Sequence, residues 1–334
     1  MKIITMAHGS GGKLTEELIE GIFYKSFKND LLLQANDSTL LSFIKGRLVA
    51  TTDNFVVKPI FFRGGDIGKL SICGTVNDLL MSGSRPLYIT VGFIIEEGFE
   101  INKLEKIVES MAVTALKAKV KIVSGDTKVV ERGSCDGVYI NTTGIGVLER
   151  NIKLGGARAE VGDKIIINGS IGDHGASIFT QRGELEMNSS LQSDCTLLND
   201  LIVEILDNSN KVKVLRDPTR GGLATTLNEI AGQSKVSIKL KEEKLLIRDE
   251  VRSLCQIAGF DPLYLANEGK VVVVVDNSES NRVLEVMRKN DLGREARVIG
   301  EVVEDDNNRV YLETSINGTR IVNALVGELL PRIC

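Results

Sequence analysis

Apolar runs in this chain end in glycine turns, and the element after each turn, helix or strand, comes in no fixed alternation. That irregular order limits the fold more than any other feature. The 33 glycines gather between apolar segments, and prolines number only 5. The segment Lys13 to Phe27 places Leu14, Leu18, Ile22 and Phe23 on one helical stripe. Residues 47–52 read as a buried strand running into Asp53. Ile67 to Met81 reads as a helix, with Leu70, Cys73, Val76 and Leu80 at helical spacing. Leu87 to Ile95 is β-rich, and Leu104 to Val120 is an amphipathic helix. Two strands, Val120 to Val130 and Gly137 to Leu148, then come with no helix between them. A second unit starts near Asp163. It holds a strand to Gly169, helices near 195–206, 220–232 and 243–254, a five-valine strand at Lys270 to Asp276, a helix at 279–290 and a strand at 296–303. Hairpin-like strand pairs mixed with helices predict an α+β chain rather than a doubly wound sheet. Lys270 and Asp276 look like charged gatekeepers flanking a buried central strand.

A chain of 334 residues is long enough for two ordinary domains. The expected division is 1–155, 156–322 and a flexible tail at 323–334. A net charge of −4 argues against a nucleic-acid binder. No apolar run approaches bilayer length, and the start of the chain is too soon interrupted by glycine for a secretory signal. The expected address is therefore cytoplasmic, with no membrane partner. Cys73, Cys135, Cys195, Cys255 and Cys334 form no Cys-x-x-Cys pair, so neither a zinc ribbon nor a disulfide framework is expected. The first four read as small apolar fillers. His8 and His174 are the two histidines, too few for a multi-histidine metal centre.

Acidic residues recur at the ends of strands beside small residues. Asp37 follows an apolar stretch, Asp53 closes a strand, and Asp126 sits in Gly125-Asp126-Thr127-Lys128. Asp217 opens Asp217-Pro218-Thr219-Arg220-Gly221-Gly222. Each alone reads as a turn or cap residue. Asp78 is harder to assign that way, because Asn77-Asp78 lies mid-helix, where both residues compete with the backbone. Carboxylates converging from separate loops suit Mg²⁺, which takes oxygen ligands and shares them with phosphates. Two glycine-rich stretches, His8-Gly9-Ser10-Gly11-Gly12-Lys13 and Thr219-Arg220-Gly221-Gly222, open helices and could receive phosphate, or serve only as turns and caps. His174 reads as a structural helix-start residue. Glu268 is an exposed turn residue or a general base. Pro331-Arg332-Ile333-Cys334 ends in a thiol that could be modified, moved and presented to a partner.

Taken together, these motifs resemble the HypE family of hydrogenase maturation proteins. That family lies in the superfamily of aminoimidazole ribonucleotide synthetase, selenophosphate synthetase and thiamine-monophosphate kinase. Thr52-Asp53, Gly74-Thr75-Val76-Asn77-Asp78, Gly125-Asp126-Thr127-Lys128 and the Asp217 loop match at superfamily level, and the terminal tetrapeptide matches HypE-like chains. The resemblance implies a homodimer built through a shared β-barrel of N-terminal domains. It also implies ATP and Mg²⁺, and ATP-dependent dehydration of an S-carbamoyl group on Cys334 to a thiocyanate. The implied partners are the carbamoyltransferase HypF and an iron-carrying HypC–HypD complex. Asp37, Asp53, Asp78, Asp126 and Asp217 become candidate metal or phosphate-site carboxylates. Gly11, Gly12, Asn77, Thr127 and Arg220 become candidate nucleotide contacts, Lys128 the phosphate cation, Glu268 the base and Cys334 the carrier. A free-standing kinase or synthetase of the superfamily would share the aspartates but give Cys334 no role. A non-catalytic thiol carrier would not need them.

Overall fold

The computed structural model describes residues 2–36, 38–183, 189–305, 307–327 and 333. The chain opens with α1 (Lys13–Leu18), a π-helical stretch (Ile19–Tyr24) and α2 (Lys25–Phe27), a continuous helical segment that buries Leu18, Ile22 and Phe23 of the expected stripe and leaves Leu14 exposed. Strand β1 (Arg47–Phe55) comes next, then a two-residue hairpin of β2 (Phe61–Phe62) and β3 (Gly65–Asp66), helix α3 (Ile67–Met81) and β4 (Arg85–Glu96). Helix α4 (Ile101–Ala118) returns the chain so that β5 (Lys121–Val130) runs parallel to β4, and β6 (Val138–Leu148) completes the unit. The first sheet has the order β1-β6-β4-β5. One face of it is covered by α3, and among the described residues the other is open.

Helix α3 is buried on nearly every side because it separates this sheet from the C-terminal unit. Its start is fixed by Asp66, whose carboxylate accepts from the N–H groups of Gly68 (2.7 Å) and Lys69 (3.1 Å). At Gly68 the helix presses on α4, and a Cβ there would lie 2.3 Å from the Ile107 carbonyl oxygen. Only glycine permits that approach.

The second unit holds β7 (Lys164–Ile167), α5 (Asp173–Gln181), α6 (Asn199–Asn208), β8 (Val212–Arg216), α7 (Gly222–Ser234) and β9 (Ser237–Lys241). It continues with α8 (Asp249–Ala258), β10 (Val272–Val275), α9 (Ser280–Lys289), β11 (Arg297–Val303), β12 (Val310–Glu313) and β13 (Thr319–Val322). Its seven strands run in the order β13-β12-β9-β11-β7-β10-β8. The valine strand β10 lies inside, between β7 and β8, with all four valines fully buried. Val273 and Val275 join a hydrophobic cluster that extends into the N-terminal unit, while Val272 and Val274 face a second cluster around α7. Period-2 alternation thus places this strand in two cores at once. Each valine removed from water stabilises by roughly 1.5–3 kcal/mol. The gatekeeper reading of Lys270 does not hold. Lys270 is buried, and its ammonium lies 2.8 Å from a buried Asp194 carboxylate oxygen.

Candidate active site

Strand parity decides which predicted residues can meet. On β1, Thr51, Asp53 and Phe55 point inward toward α3, and Thr52 and Asn54 point to the open face. Helix α3 offers Thr75 and Asp78 three residues apart on one side. Thr51 Oγ1 donates to Asp78 Oδ2 at 2.8 Å, and Thr75 Oγ1 approaches Asp53 Oδ2 at 3.5 Å. Thr75 and Thr142 of β6 share a short hydroxyl contact that ties the helix to the sheet.

Asp217 enters from the second unit, just past β8. The loop it begins turns sharply at Gly221 and Gly222, with φ of +73° and +61°. A Cβ on Gly222 would lie 2.5 Å from the carbonyl oxygens of Leu263 and Leu265. Buried Asn267 fixes the loop by donating to the Pro218 carbonyl at 2.9 Å, and it accepts the Gly172 N–H at 2.7 Å.

Burial first, and neighbouring carboxylates second, push Asp53 and Asp217 toward the neutral form. Asp53 is raised to about 6, by burial first and then by Asp78, with Arg220 opposing. Asp217 is raised to about 7, by burial first and then by Asp78 and Asp53. Glu268 is buried, with Oε1 lacking a hydrogen-bond partner. Its carboxyl is raised well above the usual range by burial, then by Asp194, Asp217, Cys73 and Asp53. Asp53, Asp78, Asp217, Arg220 and Glu268 therefore form one electrostatic cluster between the two units. Acid groups held this close form a place where positive charge is favourable. Their oxygens are the hard donors that Mg²⁺ requires. Among the described residues no three side chains already stand as a metal-binding group, so phosphate oxygens would have to complete the shell.

The remaining predicted residues lie elsewhere. Asp126 and Lys128 are exposed on β5, their charged atoms 4.0 Å apart. Cross-strand pairing puts Asp126 in one row with Gly92, Asn141 and Asn54, on the open face. Asp53 shares its row with Thr142, Val91 and Gly125, on the α3 face. Three strand spacings, roughly 14 Å, separate β1 from β5. A single copy thus does not bring Lys128 and Asp126 to the Asp53 cluster. Gly9 packs on Val129 of β5, and Gly11 and Gly12 beyond it border open space. Asp126 and Thr127 also line a cavity of about 180 Å³ with Thr15, Asn36 and Thr39.

Asn77 has a structural task. Its amide nitrogen donates to the Thr196 carbonyl (2.9 Å), and its oxygen accepts the Leu198 N–H (3.0 Å). It thereby holds the segment leading into α6 against α3. Asp37 and Cys334 lie outside the described residues. The cysteines expected as fillers are buried at Cys73, Cys195 and Cys255 and half-buried at Cys135. Cys73 and Cys195 adjoin one another beside Glu268, and Cys73 together with burial raises the Cys195 thiol well above its usual range. Sequence reasoning missed Asp194. Its carboxylate accepts from the N–H groups of Glu268 (3.0 Å) and Gly269 (3.3 Å) and from Lys270 (2.8 Å), fixing the Glu268 turn. The segment around it carries no motif that could have singled it out.

Comparison with known proteins gives matches over nearly the whole chain. The family model "AIR synthase related protein, N-terminal domain" matches residues 36–148, and the corresponding C-terminal domain matches 160–313. The chain is 48% identical over 332 residues to the carbamoyl dehydratase HypE of Cupriavidus necator, covering 99% of this chain and 95% of that one. It is 41% identical to the carbamoyl dehydratase HypE of Escherichia coli, with both chains fully covered. A HypE crystal structure in complex with ATP superposes with a TM-score of 0.95 at 44% identity, covering 99% of each chain. A HypE chain solved in a HypE–HypF complex gives 0.81 at 47% identity, over 94% of this chain and 100% of that one. Thiamine monophosphate kinase from Aquifex aeolicus, 20% identical with a TM-score of 0.61 over 90% of this chain and 98% of that one, shares the fold. Full-length identity, both domain matches and the superposition together place the chain in the HypE family of hydrogenase maturation proteins.

Proposed function

We propose that the protein binds ATP with Mg²⁺ and dehydrates an S-carbamoyl group carried on Cys334, giving a thiocyanate. The observation that carries this reading is the carboxylate cluster of Asp53, Asp78 and Asp217, electrostatically coupled to a buried Glu268 whose Oε1 has no hydrogen-bond partner, where the two units meet. Ile333 packs against both adjoining hydrophobic clusters. The residue preceding the proposed carrier is therefore held at the boundary between the units.

An amide oxygen is a poor leaving group and phosphate a good one. The carbamoyl oxygen attacks the γ-phosphorus, forming a P–O bond as the β–γ bridge bond breaks to release ADP. The C–O bond then breaks, phosphate leaves with that oxygen, and the two nitrogen protons are lost as the C≡N bond forms. The net change is loss of one water, coupled to ATP hydrolysis. Asp53, Asp78 and Asp217, with Asp37 as a further candidate, would hold Mg²⁺ together with phosphate oxygens, and the ion would supply neutralisation of phosphate charge. Arg220, whose charge acts on Asp53, adds a cation. Glu268, once ionised, is a strong base in a dry site and takes a nitrogen proton. Lys128, Asp126, Thr127 and the Gly11-Gly12 loop form a second phosphate-contacting element, and a second copy of the chain on the open sheet face brings it into a shared groove. A HypF-type carbamoyltransferase loads Cys334, and a HypC–HypD-type iron carrier receives the cyanide.

Intact-mass spectrometry after incubation with carbamoyltransferase, carbamoyl phosphate and ATP tests this reading. The expected species is Cys334 first carbamoylated and then lighter by one water, with the second change absent in Glu268→Gln. A carbamoylated chain that never loses water in the presence of ATP would eliminate the proposal.

A further inference from the structure

His174 reads from sequence as structural, yet it is a fully buried imidazole with a specific partner on each nitrogen. Nε2 lies 2.6 Å from the carbonyl oxygen of Ile333, and Nδ1 lies 2.8 Å from Ser193 Oγ. A carbonyl only accepts, so the hydrogen-bond network assigns the ring proton to Nε2. Nδ1 then accepts from the Ser193 hydroxyl, and the Ser193 oxygen remains free to accept the Cys195 N–H at 3.1 Å. Phe62 packs edge-on to the ring at 5.7 Å between centroids. Ile333 also forms an antiparallel bridge with Val57. Burial keeps the ring in its neutral form, so each nitrogen has one defined role.

The carbonyl held by His174 belongs to the peptide bond that leads into Cys334. The segment that orients the ring from its other side, Ser193 to Thr196, includes Asp194, whose carboxylate holds the Glu268 turn. We infer that His174 is a positioning residue that locks the Ile333–Cys334 peptide in register with the Glu268 turn through the Ser193–Thr196 strap. The inference rests on the proposed function for its catalytic meaning, since that reading makes Cys334 the carrier and Glu268 the base. The anchoring itself does not depend on that chemistry.

The test therefore begins with a readout independent of dehydration. In the full-length protein, the rate at which iodoacetamide alkylates Cys334 is followed by peptide mass. His174→Ala should raise that rate about threefold to tenfold, the loss expected for one buried hydrogen bond. His174→Gln places an amide N–H where Nε2 stood and should restore slow alkylation, whereas His174→Asn mimics Nδ1 and should not. A wild-type rate in His174→Ala, or equal behaviour of the Gln and Asn variants, would overturn the inference. Should the variants fail to fold, nitrogen NMR shifts of the His174 ring in the unmutated protein decide the matter, because a proton on Nδ1 is incompatible with the anchor. If alkylation behaves as expected but ATP-dependent loss of water is equal in wild type and His174→Ala, the anchor stands and its coupling to Glu268 is refuted. If no variant loses water at all, the proposed reaction fails while the anchor survives.

Discussion

Asp53 and Asp217 titrate near 6 and 7 in the folded chain, against an ordinary aspartate value of 3.8. Between about pH 4 and 7 the folded state holds protons that the unfolded chain has already released. Stability from this source is fully present below the unfolded value and is lost as pH rises through 6 to 7. Asp217→Asn removes the ionising group, so at pH 8 the variant should be more stable by on the order of 1 kcal/mol. Its Tm should rise by about 2–4 °C, measured calorimetrically. The same change should weaken Mg²⁺–ATP binding about tenfold or more, and unchanged affinity would move the metal site elsewhere. Because cation binding displaces these protons, Mg²⁺–ATP affinity in the unmutated protein should increase from pH 6 to 8. Calorimetry in buffers of different ionisation enthalpy should show net proton release. The sequence exposed these aspartates through their small neighbours, but not their mutual repulsion, which depends on two units meeting.

At the level of elements, the long helices α3 and α4 were legible from their hydrophobic period and β10 from its β-branched composition, whereas β8, β9, β12 and β13 are four or five residues long, too short to show a period, and were not legible. β10 is a run of valines, and α4 carries Leu104, Ile107, Val108 and Met111 on a buried face. What the sequence could not show was which strands are neighbours. Asp126 and Asp53 both lie on strands, and only the order β1-β6-β4-β5 and its register reveal that two strands stand between them and that they occupy opposite faces. Asn77 illustrates the same limit. Its mid-helix position signalled a special task, but the partners of its amide come from a segment about 120 residues away, at Thr196 and Leu198. The loop before α7 makes a sharp prediction. Gly222→Ala adds a Cβ at φ of +61° and against two carbonyl oxygens, a combination expected to cost about 2 kcal/mol or more. Denaturant unfolding measures the loss, and the displaced Asp217 loop should lower nucleotide affinity in the same variant.

For the whole molecule, the open face of the four-stranded sheet sets the next requirement. Thr52 and Thr143 hydrogen-bond across it at 3.1 Å, as do Asn141 and Asn54 at 3.0 Å. Around them stand Leu48, 67% exposed, and Ile94, 44% exposed. Such a face is too polar for a core and too ordered for an idle surface, and it suits a second sheet of the same kind packed on it. Lys128 stands directly opposite Ile94 in the β4–β5 register. Pairing of two copies would therefore bury both residues near the shared seam and, on the proposed reading, carry Lys128 toward the partner copy's Asp53 cluster, from which strand order separates it within one copy. Ile94→Arg sets a second positive charge beside Lys128 and should prevent the proposed pairing of two copies. Light scattering should then report the mass of one chain, while circular dichroism remains unchanged because the helix-covered face is untouched. If Lys128 serves the shared groove, the monomeric variant should also lose ATP-dependent conversion of carbamoylated Cys334, with His174-dependent protection of that thiol retained. A monomer that still converts at the wild-type rate would confine the active site to a single chain and return Lys128 to the solvated surface.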